Sequence, residues 1–317
     1  MSVIVVGSYV QDHCWSTDSF PKPGESRIGT FSTGPGGKGF NQAVAAHRQG
    51  VKSVFIGALG RDALALTAQQ FASEIGLECM WIATDLATAA SSIVLNQAGE
   101  NLICVALGAN QALDAAAVRA QASRFAQASV VLTQLECGLS ATSEALSLAQ
   151  QHGAVAICNP APINNLADAQ LLAQAHVLTP NETEFAFLLQ HLHGVVLAEQ
   201  WWLDSDTALH ALCRRLSAGT VVITLGAYGC FVSHGIREQF RDAQPCYRLP
   251  AQKVQLLDTT GAGDAFNGGL AAALCKHSEA PFELAARHAI KVSALSVERA
   301  GTAPAMPTEG EVAARFS

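Results

Sequence analysis

The residues best suited to chemistry lie in Asp258-Thr259-Thr260-Gly261-Ala262-Gly263-Asp264-Ala265-Phe266. Gly261, Ala262 and Gly263 are small, and the acid after them opens a long apolar run. Small residues let backbone N–H groups come close to a ligand. A helix starting there adds unpaired donors and the positive end of its dipole. That combination suits an anion, such as a phosphoryl group carrying charge in transit. Asp264 would then take the proton of an attacking hydroxyl. The plainer alternative is a tight turn with Asp264 as the helix cap.

A second segment is Gly34-Pro35-Gly36-Gly37-Lys38-Gly39-Phe40-Asn41. It satisfies G-x-G-x-x-G at Gly34, Gly36 and Gly39. A dinucleotide fingerprint directly follows the first strand of a βαβ unit, and here a long interval separates it from Val3–Val6. A P-loop is excluded because Lys38 is followed by Gly39 rather than Ser or Thr. A glycine-rich loop leading into a helix still offers a place to hold hydroxyls or phosphate. The alternative is a purely structural loop.

The third segment is Thr179-Pro180-Asn181-Glu182-Thr183-Glu184. Asn181 with Glu184 three residues later reads as a capping box. The same pair suits outer-shell support of Mg²⁺, which keeps several of its waters.

These segments need a frame to hold them. Short β-branched runs alternate with alanine-rich amphipathic runs along the chain. Strands are expected at 3–6, 53–58, 130–134, 154–158, 176–179 and 220–224. Helices are expected at 41–49, after Asp62, and at 114–128 with Asp114 as N-cap. Further helices are expected at 140–152, 181–190, 206–217, 263–277 and 281–297. Such alternation implies a mostly parallel sheet with helices on both faces. Residues from about 9 to 34 and from about 91 to 105 break the pattern. The second reads as a hairpin turning at Gly99. Together they suggest a small sheet projecting from an α/β body.

Composition narrows the classes. Half of the chain is hydrophobic and only 14% is charged, which excludes a disordered chain. The 19 Lys+Arg against 26 Asp+Glu argue against a nucleic-acid partner. The longest apolar stretches, such as Gly268 to Cys275, are too short to span a membrane. The N-terminus has no basic region or cleavage-site pattern, so no signal peptide is expected. Nine cysteines without a C-x-x-C read as free thiols in a reduced cytoplasm. The histidines show no metal-ligand spacing. Trp201 and Trp202 read as hydrophobic cover.

The Gly-Gly-Lys-Gly-Phe-Asn and Asp-Thr-Thr-Gly-Ala-Gly-Asp segments resemble the two signatures of the PfkB family of carbohydrate kinases, and most closely its ribokinase branch. Further segments agree in order: Gly7-Ser8 followed by Asp12, Gln42-Ala43-Val44-Ala45-Ala46, Leu107-Gly108-Ala109-Asn110, Gln134-Leu135-Glu136, Asn159-Pro160-Ala161-Pro162, the Asn181/Glu184 segment and Ile223-Thr224-Leu225-Gly226. The similarity runs from residue 3 to about residue 312.

The resemblance implies one ribokinase-like domain over 1–317, an α/β fold of three αβα layers. A small β-sheet lid would be formed by about 9–34 and 91–105. It implies MgATP-dependent phosphorylation of a primary hydroxyl, normally O5 of a pentose such as ribose or 2-deoxyribose. A nucleoside or hexose kinase, or a silent sugar-binding regulator, remains the alternative. Asp264 resembles the catalytic base, and the backbone at Gly261, Ala262 and Gly263 the anion hole. Asp12, Gly37, Lys38, Asn41 and Glu136 match sugar-binding positions, and Asp264 counts among them as well as being the base. Asn181, Thr224 and Gly226 match nucleotide positions, with Glu184 holding Mg²⁺ through water. Asp258 and Thr260, with carbonyls near Ser296, Arg299 and Gly301, match an activating K⁺ site. The family's lids often pair in a homodimer. Two positions depart from the pattern. Val10 replaces an asparagine that usually meets the sugar, which predicts relaxed selectivity towards a deoxy position. Ala305 stands where a serine often supports the K⁺ site.

Overall fold

The computed structural model describes residues 1–98, 100–235 and 240–316. The chain opens with β1 (Val3–Val6), whose four residues are all buried. Val3 and Val5 enter one hydrophobic core, while Ile4 and Val6 enter another. Alternation along an extended strand thus divides the molecule into layers.

Two strands of the small sheet follow, β2 (Val10–Ser16) and β3 (Thr30–Gly36). Then come α1 (Lys38–Arg48), β4 (Ser53–Leu59), α2 (Ala63–Ile75) and β5 (Glu78–Ala83). The small sheet is completed by β6 (Ala90–Leu95) and β7 (Asn101–Ala106). The helical run expected over 114–128 is two short helices, α3 (Ala115–Arg119) and α4 (Ala122–Phe125). Asp114 does cap the first, accepting from Ala117 N. Between the two the chain tightens to a bond from Gln121 N to Val118 O of 2.9 Å. That turn lets both Val118 and Phe125 reach the core.

The body continues through β8 (Val130–Thr133), α5 (Leu139–Gln151), β9 (Val155–Cys158), α6 (Ala169–Leu172) and β10 (Val177–Leu178). Next are α7 (Glu182–His193), α8 (Asp206–Leu216), β11 (Thr220–Thr224), β12 (Cys230–Ser233) and β13 (Cys246–Leu249). Three helices close the chain: α9 (Ala262–Lys276), α10 (Phe282–Ser296) and α11 (Glu309–Arg315).

The large sheet has the order β13-β12-β11-β10-β9-β8-β1-β4-β5. Its strands are parallel from β5 to β11, and β12 and β13 add an antiparallel edge. The sequence pattern did not reveal β5, β12 or β13. One core packs α1, α2, α9 and α10 on the sheet, and the other packs α5, α7 and α8 on the opposite face. The second sheet has the order β3-β2-β6-β7. It uses both segments that broke the α/β alternation; the expected turn residue Gly99 lies outside the described residues.

The glycine-rich segment is not a loop. β3 runs through Gly34 and Gly36, and α1 begins at Lys38, three residues before the expected start. Gly37 alone joins them with φ 90°. Only glycine takes that angle without strain, so strand passes to helix in a single residue.

Candidate active site

Ligands of open α/β sheets bind beyond the carboxyl ends of the strands. Here β8 leads to Gln134 and Glu136, β9 to Asn159, β10 to Thr179 and Asn181, and β11 ends at Thr224. A cavity of about 160 Å³ lies at this end of the sheet. It is lined by Lys38, Asn181, Glu184, Thr224, Gly261–Asp264 and several neighbours.

Asp264 occupies the first turn of α9 but does not cap it; Gly261 is the N-cap, with φ 80°. The carboxylate turns inward instead and is 7% exposed. Asn41 Nδ2 donates to its Oδ2 at 2.9 Å, and Gln42 Nε2 donates to its Oδ1 at 2.9 Å. Burial raises its pKa, against the lowering effects of Lys38, Gln42 and Asn41. Lys38 stays charged: burial works against the ammonium, but Asp264, Glu136 and Glu184 outweigh it and raise its pKa.

Behind Asp264 lies a chain of buried amides. Gln134 Nε2 donates to Gln42 Oε1 at 2.6 Å. Gln42 Nε2 also reaches Asn159 Oδ1 at 3.1 Å, and Asn159 Nδ2 donates to Thr179 O at 2.9 Å. Thr179 Oγ1 meets Asn267 Oδ1 at 2.6 Å, and Asn267 Nδ2 returns to Gly263 O at 2.8 Å. The path ends on the same first turn of α9 where Asp264 sits. Sequence reading assigned no role to Gln42, Gln134, Asn159, Thr179 or Asn267. Their signal was a set of amides placed among apolar residues, where an unpaired polar group is costly.

The backbone of the α9 entry divides its labour. Ala262 N donates to Thr259 O at 3.2 Å, closing the turn. The N–H groups of Gly263 and Asp264 belong to the helix's first turn, which has no intrahelical acceptor for them. With the N–H of Gly261, the N-cap, they are the donors left for an anion, whereas the expected Ala262 N–H is taken by the turn.

The expected sugar positions form two linked groups. Glu136 Oε2 accepts from Ser8 Oγ at 2.6 Å and from Lys38 N at 3.0 Å. It therefore sits where α1 begins, beside Gly37 and Asn41. Asp12 lies on β2, where its Oδ1 accepts from Ser91 Oγ at 2.6 Å. Its pKa is raised, burial being the main cause. Asn41 Oδ1 is buried with no hydrogen-bond partner. An orphaned acceptor at this place suits a ligand hydroxyl. Val10 is 3% exposed, so its apolar side chain is packed in place.

Asn181 and Glu184 form the expected capping box: Asn181 Oδ1 accepts from Glu184 N at 2.8 Å, and Glu184 Oε2 accepts from Asn181 N at 2.9 Å. Glu184 is 8% exposed and borders the cavity. A carboxylate with one oxygen still uncommitted fits a hydrated Mg²⁺. Asn181 also bridges to Thr224. Gly226 follows two residues after Thr224, in the exposed turn Gly226–Tyr228 at the end of β11 and outside the cavity lining. In the loop leading into α9, Asp258 Oδ1 accepts from Thr260 N at 2.9 Å and its Oδ2 from Gly301 N at 3.0 Å. Ser296 O accepts from Arg299 N at 3.2 Å in the turn after α10. These loops offer hard oxygen donors, which fits a K⁺ ion. Ala305 adds only a buried methyl there.

Trp201 stacks on Phe185 of α7 at 5.0 Å between ring centroids, as hydrophobic cover should. All nine cysteines are free.

The model for pfkB family carbohydrate kinases matches residues 1–309. A ribokinase of Haemophilus influenzae is 36% identical over 313 residues, covering 98% of this chain and 96% of that protein. The solved ribokinase of Giardia lamblia superposes with a TM-score of 0.86 at 25% identity, covering 100% of this chain and 99% of that one. The Arabidopsis thaliana ribokinase solved with ribose and ATP superposes with a TM-score of 0.82 at 26% identity, covering 100% and 99%. A buried acid on a helix start with open N–H groups, set in this fold and joined to a family match over nearly the full length, leads to one assignment: the chain belongs to the pfkB family of carbohydrate kinases.

Proposed function

We propose that the chain transfers the γ-phosphoryl group of ATP to the primary (O5) hydroxyl of a pentose, ribose or a close analogue such as 2-deoxyribose. The observation that carries this reading is Asp264: a buried carboxylate held through both oxygens, on the turn that also presents open N–H groups. The same turn thus supplies a base for the hydroxyl and donors for the phosphoryl oxygens. Phosphoryl transfer needs chiefly this positioning and charge stabilisation.

In this reading Asp12, Gly37, Lys38, Asn41 and Glu136 hold the sugar. Lys38 adds a positive charge beside the transferred group. Asn181, Thr224 and Gly226 lie along the nucleotide. Glu184 would hold Mg²⁺ through water, and Mg²⁺ when bound neutralises phosphate charge. Asp258, Thr260 and the carbonyls of Ser296, Arg299 and Gly301 would hold K⁺ and so stiffen both loops around α9.

We read 1–317 as one kinase domain and the small sheet as its lid. Closing such a lid excludes water and limits wasteful ATP hydrolysis. Phe31, Leu102, Ile103 and Val105 are exposed on this sheet, which supports a homodimer formed through the lids. The free cysteines support a reducing, cytoplasmic setting. Among the described residues no helix is long and apolar enough to cross a membrane.

An ADP-release assay over ribose, 2-deoxyribose, other pentoses, hexoses and nucleosides, with and without K⁺, tests the reading. Turnover of ribose or 2-deoxyribose is expected. Turnover confined to nucleosides or hexoses, or none at all, overturns it.

A further inference from the structure

Thr302 follows Gly301 of the proposed K⁺ site and has no assigned role of its own, yet it touches both halves of the site. It is 9% exposed, in the turn between α10 and α11. Its Oγ1 lies 3.3 Å from Asp12 Oδ2 and 3.1 Å from Pro35 O. Asp12 belongs to β2 and Pro35 to β3, so one hydroxyl of the body meets two strands of the small sheet.

The opposite side of Thr302 faces the anion turn. A methyl group added at Gly261 would stand 3.6 Å from Thr302 Cα and 3.7 Å from its Cγ2. The preceding residue, Gly301, donates its N–H to Asp258 Oδ2, and Asp258 in turn accepts from Thr260 N. Thr302 is therefore the joint between Asp12 and the start of α9.

The Asp12 carboxylate makes two side-chain hydrogen bonds, one within the small sheet and one to this joint. Its other oxygen is held by Ser91, which rides on the same small sheet and moves with it. Gly36 closes the remaining side: a Cβ there would lie 2.1 Å from Asp12 Oδ2 and 3.1 Å from Thr302 Oγ1. Val10, two residues before Asp12, offers no hydrogen bond to a sugar or to Asp12. Among the described residues, Thr302 is thus the body side chain that hydrogen-bonds the Asp12 carboxylate.

We propose that Thr302 is a positioning residue for sugar recognition: it latches the small sheet to the body and fixes Asp12 at a set distance from the anion turn. This rests on the pentose kinase reading. The hydroxyl shares its one proton between Pro35 O and a carboxylate that must accept sugar hydroxyls in the ground state. Losing it weakens binding of the sugar more than the chemical step, because Asp264 and the α9 turn keep their own partners.

Thr302→Val keeps the shape and removes the hydroxyl; Thr302→Ser keeps the hydroxyl. Ribose affinity is measured by calorimetry without nucleotide, alongside KM and kcat. Thr302→Val is expected to raise Kd and KM about tenfold, the scale of one hydrogen bond to a charged acceptor. Its kcat should stay within about twofold, and Thr302→Ser should bind like the wild type. Equal ribose Kd for the wild type and Thr302→Val overturns the positioning role alone. So does a serine variant as weak as the valine one. Failure of the wild type to bind any pentose overturns the pentose kinase reading as well.

Discussion

Gln42 Nε2 and Asp264 Oδ1 stand 2.9 Å apart, and this bond joins the proposed base to a buried chain of amides. The bond favours the charged carboxylate, opposing the burial that raises its pKa. Gln42→Met should move the acidic limb of the kcat/KM profile to higher pH and lower kcat. Asp264→Asn removes the base and should lower kcat about 10²- to 10⁴-fold while ribose binding persists. A pH–rate profile of both variants, with ribose binding by calorimetry, checks this.

Lys38 is the cation nearest in effect to Asp264, since it is the foremost group opposing the burial penalty there. Lys38→Met removes that charge and a stabiliser of the phosphoryl group. The acidic limb should again move up, and kcat should fall about 10²- to 10³-fold, the scale of one lost transition-state contact. Pre-steady-state rates of ribose phosphorylation across pH separate the two effects.

The two chemical segments were legible because glycines and an acid at fixed spacing leave few physical options. Their meaning changed in the structure. Asp264 looked equally suited to capping α9, and only tertiary contacts with Asn41 and Gln42 show it turned inward. The apparent loop at 34–39 resolves into strand and helix, because Gly37 alone supplies the turn. Strands β5, β12 and β13 were not read although each pairs with the strand next to it in the chain; at four to six residues they are too short to show a clear period. Thr302 gave no signal at all: a lone threonine carries no spacing, and its two partners lie more than two hundred residues away. The alanine-rich run over 115–125 read as one helix because alanine favours a helix without saying where it must turn.

Val10 predicts a change in selectivity. Its side chain is 3% exposed on the same strand as Asp12, where an asparagine would offer a polar partner to a sugar hydroxyl. Val10→Asn should raise the kcat/KM ratio of ribose over 2-deoxyribose, by up to about tenfold for one gained hydrogen bond. Competition between the two sugars, read by product mass, measures the ratio directly. An unchanged ratio removes Val10 from substrate selection.

The rings of Trp15 and Phe31 lie 5.2 Å apart on paired strands of the small sheet, and Phe31 is 54% exposed. Leu102 continues the same row across the sheet, paired with Val94 beside Trp15. An apolar row of this kind at a sheet surface needs cover. Phe31→Glu should convert a homodimer into a monomer by sedimentation velocity, because a buried unpaired carboxylate is costly. A wild type that already sediments as a monomer at micromolar concentration would dismiss the lid-to-lid dimer.

Far from the site, Asp242 anchors the edge of the large sheet. Its Oδ2 meets His234 Nε2 at 2.8 Å and accepts from Tyr247 OH at 2.5 Å, while its Oδ1 accepts from Glu283 N at 3.1 Å. Burial acts to raise its pKa, but the bonds from His234, Tyr247 and Glu283 prevail and lower it below 3.8. A carboxyl with a depressed folded pKa adds stability above its unfolded value and loses it as pH falls through the folded one. Asp242→Asn should therefore cost about 1–3 kcal/mol at pH 7, the scale of a disrupted buried hydrogen-bond set. The gap to the wild type should begin to narrow below the ordinary carboxylate value and close as pH falls through the depressed folded one, where the wild type is protonated too. Urea unfolding of both proteins from pH 7 down through the acid range tests this. A gap that stays constant would show that Asp242 acts by shape alone and not through its charge.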